Sequence, residues 1–217
     1  MGVPKGLLDY HGKEWIIEQI ERFKGTGGER VIIVLGFDSV SYLNQLPWIA
    51  DSLNQRITYN GVQVTTLLNP HPKNGPFSSL QRALASVHSS NTPGVFVLPV
   101  DVPAPMVEVW HKLVDHLNGK VKVVIPEYKA EGGHPILLSS GLVNELRQIS
   151  LTDETARLDM QIRKLPAQQV TRISTQDVQV TMNLNTPEEW DSFKKKVVYS
   201  FSRFNRKTLW QDTHVPR

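Results

Sequence analysis

The 217-residue chain contains no cysteine, which excludes disulfides, thiolate metal sites and a cysteine nucleophile, and fits a reducing compartment. Long apolar runs are missing as well. The longest, Val31 to Leu35, is far too short to cross a bilayer, so no membrane partner is expected. No charged and apolar leader opens the chain, and no Asn-x-Ser/Thr sequon with a permissive middle residue occurs, so the expectation is a cytoplasmic protein. The common short catalytic motifs are absent too: no GxGxxG after a strand, no GxxxxGK[ST], no HExxH, no GxSxG. The seven histidines are scattered, and His111 and His116 stand about 140° apart around a helix, so they do not converge on a metal.

A strong excess of one charge is missing from the body of the chain. The net charge is +3, yet residues 194–217 hold seven basic residues and one acid, so that tail carries +6 and the rest −3. A nucleic-acid partner would need a basic face on the body, and none is expected. With 40% hydrophobic and 21% charged residues the composition is globular, and the length suits one domain.

Five apolar segments read as strands: Val31 to Leu35, Val62 to Leu68, Val95 to Val100, Val121 to Ile125 and Ile136 to Leu138. The first and third are continuous runs, the pattern of strands covered on both faces in a parallel sheet. Helical spacing recurs between them, over Glu14 to Phe23, Ser78 to Val87 and Pro105 to Leu117. Alternating helices and strands predict an α/β domain with a mostly parallel sheet. A last helix starts at an N-cap Thr186 with Pro187 at its first position and Glu189 closing a capping box. Trp190, Phe193, Val197, Phe201 and Phe204 then form an apolar face, suited to core or subunit packing, with a membrane-surface or nucleic-acid arm as the alternative. The division expected is a domain over residues 1–193 and a basic helical extension and tail over 194–217.

Three segments could carry chemistry. Val95 to Pro103 is a strand ending in Asp101, and ligands of open α/β sheets bind at the carboxyl ends of strands. A carboxylate there can hold Mg²⁺, or it can cap the following turn. Lys5 sits in a Gly/Pro-containing opening segment, where a lysine can neutralise phosphate; an ordinary chain terminus is the alternative. Asn69 to Leu80 follows a strand and opens a helix, either as an anion-binding turn or as a plain turn with a serine N-cap.

Together these pieces resemble the MobA-like NTP transferases, the molybdenum-cofactor nucleotidyltransferases with a glycosyltransferase-A-like fold. Met1-Gly2-Val3-Pro4-Lys5 matches the end of that family's Gly-rich Arg-Met-Gly-x-Pro-Lys signature, and Leu7-Leu8 with Gly12-Lys13 matches the family's next segment. Asn69, Gly75 and Ser78 match its Asn…Gly…Ser element, and Leu98 to Pro103 its metal-binding strand end. Gly133-His134-Pro135 is similar to the Gly-His-Pro of the cytidylyltransferase branch, and Leu151 to Arg157 to its Leu-x-Gly-Asp-x-Gly-Ala-Arg. Asn185-Thr186-Pro187-Glu188-Glu189 matches a further Thr-Pro-Glu element.

The resemblance implies a Rossmann-like three-layer sandwich that moves a nucleoside monophosphate, CMP before GMP, from an NTP to a phosphorylated acceptor such as the molybdopterin cofactor. Mg²⁺ is the implied cofactor, with Mn²⁺ as an alternative. Lys5 and Asp101 would be catalytic, with Asp101 and Asn185 holding the metal. Gly2, Pro4, Lys5, Asn69, Gly75 and Ser78 would bind nucleotide, and His134, Asp153 and Arg157 the acceptor. A homodimer is an open assembly. The alternative functions are transfer to a sugar-phosphate acceptor and a non-catalytic nucleotide- or pterin-binding module.

The sequence departs from the family in two ways. The family's first strand and most of its Gly-rich loop would precede Met1, and the expectation is either absent upstream residues or a decayed site with an open apolar edge beside Val31 to Leu35. Asn183-Leu184-Asn185 also replaces an Asp-x-Asp, and asparagine offers Mg²⁺ a carbonyl oxygen without charge.

Overall fold

The structure, a computed structural model, describes residues 2–87 and 92–195. A short hairpin, β1 (Asp9–Tyr10) and β2 (Lys13–Glu14), leads into α1 (Trp15–Gly25), which buries Trp15, Ile16 and Ile20 at helical spacing. There follow β3 (Arg30–Leu35), α2 (Ser39–Gln45), α3 (Pro47–Asp51), β4 (Arg56–Tyr59), β5 (Val62–Leu68), α4 (Pro76–Ala85) and β6 (Gly94–Val97). The remainder is α5 (Val107–His116), β7 (Val123–Tyr128), β8 (Glu131–Gly132), β9 (Ile136–Ser139), α6 (Ser140–Arg147), α7 (Leu158–Arg163), β10 (Val170–Ser174) and a last helix, α8, over residues 187–195.

The α/β class and the layered sandwich are as expected. Along β7 the side chains alternate: Val123 and Ile125 pack with α4 and α6, whereas Val124 packs with α5. The pairing, however, is mixed rather than mostly parallel. Strands β3–β5 and β7–β10 are parallel, while β4–β5, β6–β9, β7–β9 and β7–β8 are antiparallel. Two hairpins and the reversed strand β9, antiparallel to both β6 and β7, produce the difference. Asn60 and Gly61 both have positive φ between β4 and β5, and so do Lys129 and Ala130 between β7 and β8, the backbone of tight hairpin turns.

Among the described residues the strands form two main sheets, β3-β5-β4 and β10-β7-β9-β6. Among the described residues β3 pairs with β5 and β6 with β9, and each has one edge without a strand partner. Their apolar runs are accordingly less covered than a doubly wound strand would be: all four residues of β6, and Val31, Ile32 and Val34 of β3, are half-buried. The expected strand to Val100 ends at Val97, and Leu98 to Val100 run on as irregular chain. The core is correspondingly divided. One cluster joins α1–α3 to β3 and β5, and others surround β7 and β9.

The predicted capping box is present. Thr186 Oγ1 accepts from Glu189 N–H, and Glu189 Oε2 accepts from the N–H groups of both Asn185 and Thr186. Trp190 and Phe193 of α8 pack with Tyr10, Trp15 and Leu184. The remaining positions of the expected apolar face, Val197, Phe201 and Phe204, and nearly all of the basic tail lie outside the described residues.

Candidate active site

Beyond β6 the chain turns at Val100-Asp101, and three segments distant in sequence meet there. Lys5 Nζ donates to Asp101 Oδ2 at 2.8 Å and to Asn185 Oδ1 at 2.5 Å, across 96 and 180 residues of chain. Backbone bonds fix the meeting point. Leu184 N–H donates to the Asp101 carbonyl (2.8 Å), and the Trp15 indole N–H donates to the Val100 carbonyl (2.7 Å). The aromatic cluster of Tyr10, Trp15, Trp190 and Phe193, with ring centroids 5.1 to 6.3 Å apart, thereby links both chain segments to the helix that follows Asn185.

Lys5 belongs to a 3-10 turn, Lys5–Leu7, whose start is closed by Leu7 N–H donating to the Pro4 carbonyl at 2.9 Å. The turn is braced from outside. Gly6 N–H donates to Tyr42 Oη at 3.0 Å, and both residues are buried. A Cβ at Gly6 would stand 2.7 Å from Tyr42 Oη, so glycine is what lets the turn approach the phenol. Burial pushes the Tyr42 hydroxyl pKa up, against the opposing effect of the Gly6 N–H bond. Gly2, at the open end of this segment, has φ 65°.

His134 lies on the other side of Asp101. Its backbone N–H donates to the Val180 carbonyl, and ring Nδ1 lies 3.3 Å from the Val97 carbonyl, an oxygen that can only accept. Nδ1 therefore carries the proton and Nε2 keeps a lone pair. Burial pushes the His134 pKa below its ordinary value, with the Val97 bond and the Asp101 charge opposing, which favours the neutral ring. Gly133 makes this placement possible: a Cβ there would lie 2.1 Å from the Val180 carbonyl oxygen.

The Asn69–Ser78 segment follows β5, and Asn69 N–H donates to the last carbonyl of β3, Leu35 (2.8 Å). The buried Asn69 amide is spent within its own loop. Its Nδ2 donates to Ser78 Oγ (2.8 Å) and Ser79 Oγ (3.0 Å), and its Oδ1 accepts from His71 N–H (2.9 Å). The expected serine N-cap is corrected: Gly75, with φ 80°, caps α4, and Ser78 lies inside the helix with Oγ donating back to the Gly75 carbonyl at 2.7 Å. A groove of about 480 Å³ opens beside this loop, lined by Asn69, His71, Ser78, Gln81, Arg82 and Arg147 among others. Lys5, Asp101 and Asn185 do not line it, so the expected site residues fall into two groups rather than one contact set.

Asp153 and Arg157 make no hydrogen bond to either group, although Leu151, two residues before Asp153, lines the groove. Asp153 is exposed and accepts from Thr155 N–H and Oγ1, which hold its pKa below the ordinary value, and Arg157 pairs with Asp159. Tyr42, Trp15 and Leu184 have no counterpart among the sequence-predicted residues. Their contributions are a phenol, an indole and a backbone N–H meeting main-chain atoms, and no spacing pattern marks such contacts.

Among the described residues, no three His, Cys, Asp or Glu side chains converge as a metal cluster. The Asp101 carboxylate and Asn185 amide oxygen do converge on one cation, the Lys5 ammonium, and two hard oxygen donors at one point fit Mg²⁺ or Mn²⁺.

The model of the MobA-like NTP transferase domain matches residues 1–173. The chain belongs to this family. Among solved structures, the MobA-like fold is shared with Rv0371c from Mycobacterium tuberculosis H37Rv, at 17% identity and TM-score 0.67, covering 90% of this chain and 91% of that one. The manganese complex of Rv0371c matches at 18% identity and TM-score 0.61, covering 89% and 93%. HddC from Yersinia pseudotuberculosis, complexed with GMP-PN, is 14% identical with TM-score 0.62, covering 90% of each chain. Molybdopterin-guanine dinucleotide biosynthesis protein A from Archaeoglobus fulgidus matches at 14% identity and TM-score 0.61, covering 91% and 92%. No curated protein matches the sequence. These likenesses speak for the fold, and the family match makes this MobA-like chain a member of a nucleotidyltransferase group. Among the described residues, no helix is long and apolar enough to cross a membrane.

Proposed function

We propose that this MobA-like protein transfers a nucleoside monophosphate, CMP in preference to GMP, from an NTP to a phosphorylated acceptor of the molybdopterin type, releasing pyrophosphate. The observation that carries the reading is the convergence of Lys5, Asp101 and Asn185 beyond the carboxyl end of β6. Phosphoryl and nucleotidyl transfers need charge neutralisation and in-line positioning more than covalent help, and this cluster supplies the first. Lys5 neutralises the triphosphate. Asp101 and Asn185 hold Mg²⁺ or Mn²⁺, which when bound supplies further charge neutralisation at the reacting phosphate.

Gly2, Pro4, Asn69, Gly75 and Ser78 shape the nucleotide side; Asn69 does so by bracing its loop, because its amide is already bonded within it. Neutral His134 presents Nε2 as an acceptor to the incoming group, and Asp153 and Arg157 recognise the acceptor from their surface loop. Residues 1–193 make up the working domain, and 194–217 an appendage suited to pairing two copies.

The test is pyrophosphate release with CTP, GTP, ATP and UTP, each with Mg²⁺ and with Mn²⁺, in the presence of molybdopterin or a sugar phosphate. Metal-dependent release with CTP and the pterin, lost in Asp101→Asn, is the expected result. Unchanged turnover in Asp101→Asn would remove Asp101 from the site. A second reading, binding without turnover, is favoured by the single carboxylate at the metal position, Asn185 bringing no charge. It predicts nucleotide-dependent thermal stabilisation with no pyrophosphate formed.

A further inference from the structure

The ammonium of Lys5 holds the same two oxygens that the proposed function gives to a divalent cation. Its distances of 2.8 Å to Asp101 Oδ2 and 2.5 Å to Asn185 Oδ1 commit two of its three N–H donors at that point. A divalent cation held by Asp101 and Asn185 would compete with the ammonium for these oxygens. Coulomb repulsion between an ammonium and a divalent ion at such range acts in the same direction, because Lys5 and Asp101 are only about one-third and one-quarter exposed.

We propose that Lys5 and the divalent cation are alternative occupants of one seat, so that the cation is admitted together with nucleotide, whose phosphates receive the ammonium as it leaves. The backbone geometry suits such an exchange. The turn that carries Lys5 is pinned by the Pro4–Leu7 bond and by Tyr42 Oη on Gly6, while the lysine stem itself is flexible. The pivot is fixed and the head can move. Asp101 and Asn185 are fixed in turn, the first through Leu184 N–H on its carbonyl and the second through Glu189 on its own N–H. The seat thus keeps its shape when its occupant changes. Its consequence is an order of binding: weak affinity for the bare metal, and stronger affinity once a triphosphate is present to take Lys5.

The inference rests on the proposed function for the nucleotide half of the exchange; the metal half is measured without nucleotide. Free Mn²⁺ is followed by electron paramagnetic resonance during titration with the full chain, as wild type, Lys5→Met, Lys5→Arg and Asp101→Asn, each first compared by melting temperature. Lys5→Met is expected to bind Mn²⁺ alone about tenfold or more tighter than wild type, having lost the competing charge. Lys5→Arg keeps a cation in the seat and is expected to show no gain. Asp101→Asn is expected to lose Mn²⁺ binding. Equal Mn²⁺ affinity in Lys5→Met and wild type would overturn the exchange, as would Mn²⁺ binding that survives in Asp101→Asn. Added CTP or GTP is expected to strengthen Mn²⁺ binding in wild type, beyond the Mn²⁺ taken up by the same nucleotide without protein. If Lys5→Met gains affinity but no nucleotide has this effect, the shared seat stands and nucleotidyl transfer falls. If nucleotide strengthens binding but Lys5→Met gains nothing, transfer stands and the shared seat falls.

Discussion

Replacing Tyr42 by Phe removes one oxygen and leaves the ring in place, so it isolates the brace on the Lys5 turn. In the native protein Gly6 N–H donates to that oxygen at 3.0 Å, with Tyr42 8% exposed and Gly6 buried. Without it the N–H is left buried and unpaired, a loss of about 1–3 kcal/mol. For a chain of this length that is a fall in melting temperature of about 2–4 °C per kcal/mol. No cavity term is added, because only the hydroxyl is lost. The effect should reach the site as well, since Gly6 adjoins Lys5 and the turn places the ammonium on Asp101 and Asn185. Thermal unfolding by circular dichroism, paired with the KM for CTP, measures both. A lower melting temperature with a raised KM is expected. A Tyr42→Phe variant that melts with wild type would refute the brace, and one that melts early with unchanged KM would refute its link to Lys5.

Two further substitutions test the other side of Asp101. Gly133→Ala places a Cβ 2.1 Å from the Val180 carbonyl oxygen, and overpacking against backbone costs about 1–3 kcal/mol. Faster amide exchange at His134, whose N–H donates to that same carbonyl, is expected beside a lower melting temperature, and native-like exchange would contradict it. His134 itself predicts a pH effect. Burial holds its folded pKa below the ordinary 6.5, so the unfolded chain takes up the proton first as pH falls. The stability tied to the neutral ring is complete above about 6.5 and is lost as pH drops below it toward the folded value. Denaturant midpoints between about pH 7.5 and 5.5 should therefore fall more steeply for wild type than for His134→Gln, and parallel slopes would count against the buried neutral ring.

The layered core was legible because it is written in periodicity. The runs Val31 to Leu35 and Val62 to Leu68 and the faces of α1 and α5 appear close to where their apolar spacing put them. Hairpins were harder. Asn60-Gly61 is a recognisable turn signal and would have revealed β4, but Lys129-Ala130 adopts the same positive φ values without the residues that favour them. Strand β10 was missed because Thr171, Arg172 and Ser174 dilute its two apolar residues, and it is held mainly by parallel pairing to β7. Lys5, Asp101 and Asn185 could be named from the motifs they sit in. Their convergence could not, because it depends on interactions that span nearly the whole chain.

That dependence says where the site is vulnerable. Its three members come from an opening turn, a second turn beyond β6 and the approach to the last helix, and no single secondary-structure element carries two of them. Packing beneath the site registers them: Trp15 donates upward to Val100 and stacks edge-on against Trp190 and Phe193, whose helix begins two residues after Asn185. Arg22 adds a second tie, its guanidinium lying 5.4 Å from the Trp15 ring and 5.7 Å from the Phe193 ring while it donates to the Ala104 carbonyl. The aromatic cluster is therefore as much a part of the site as the charged residues above it. Asp101 and Asn185 keep their spacing through the Leu184-to-Asp101 backbone bond and the shared Lys5 ammonium, and both depend on the packing of that cluster.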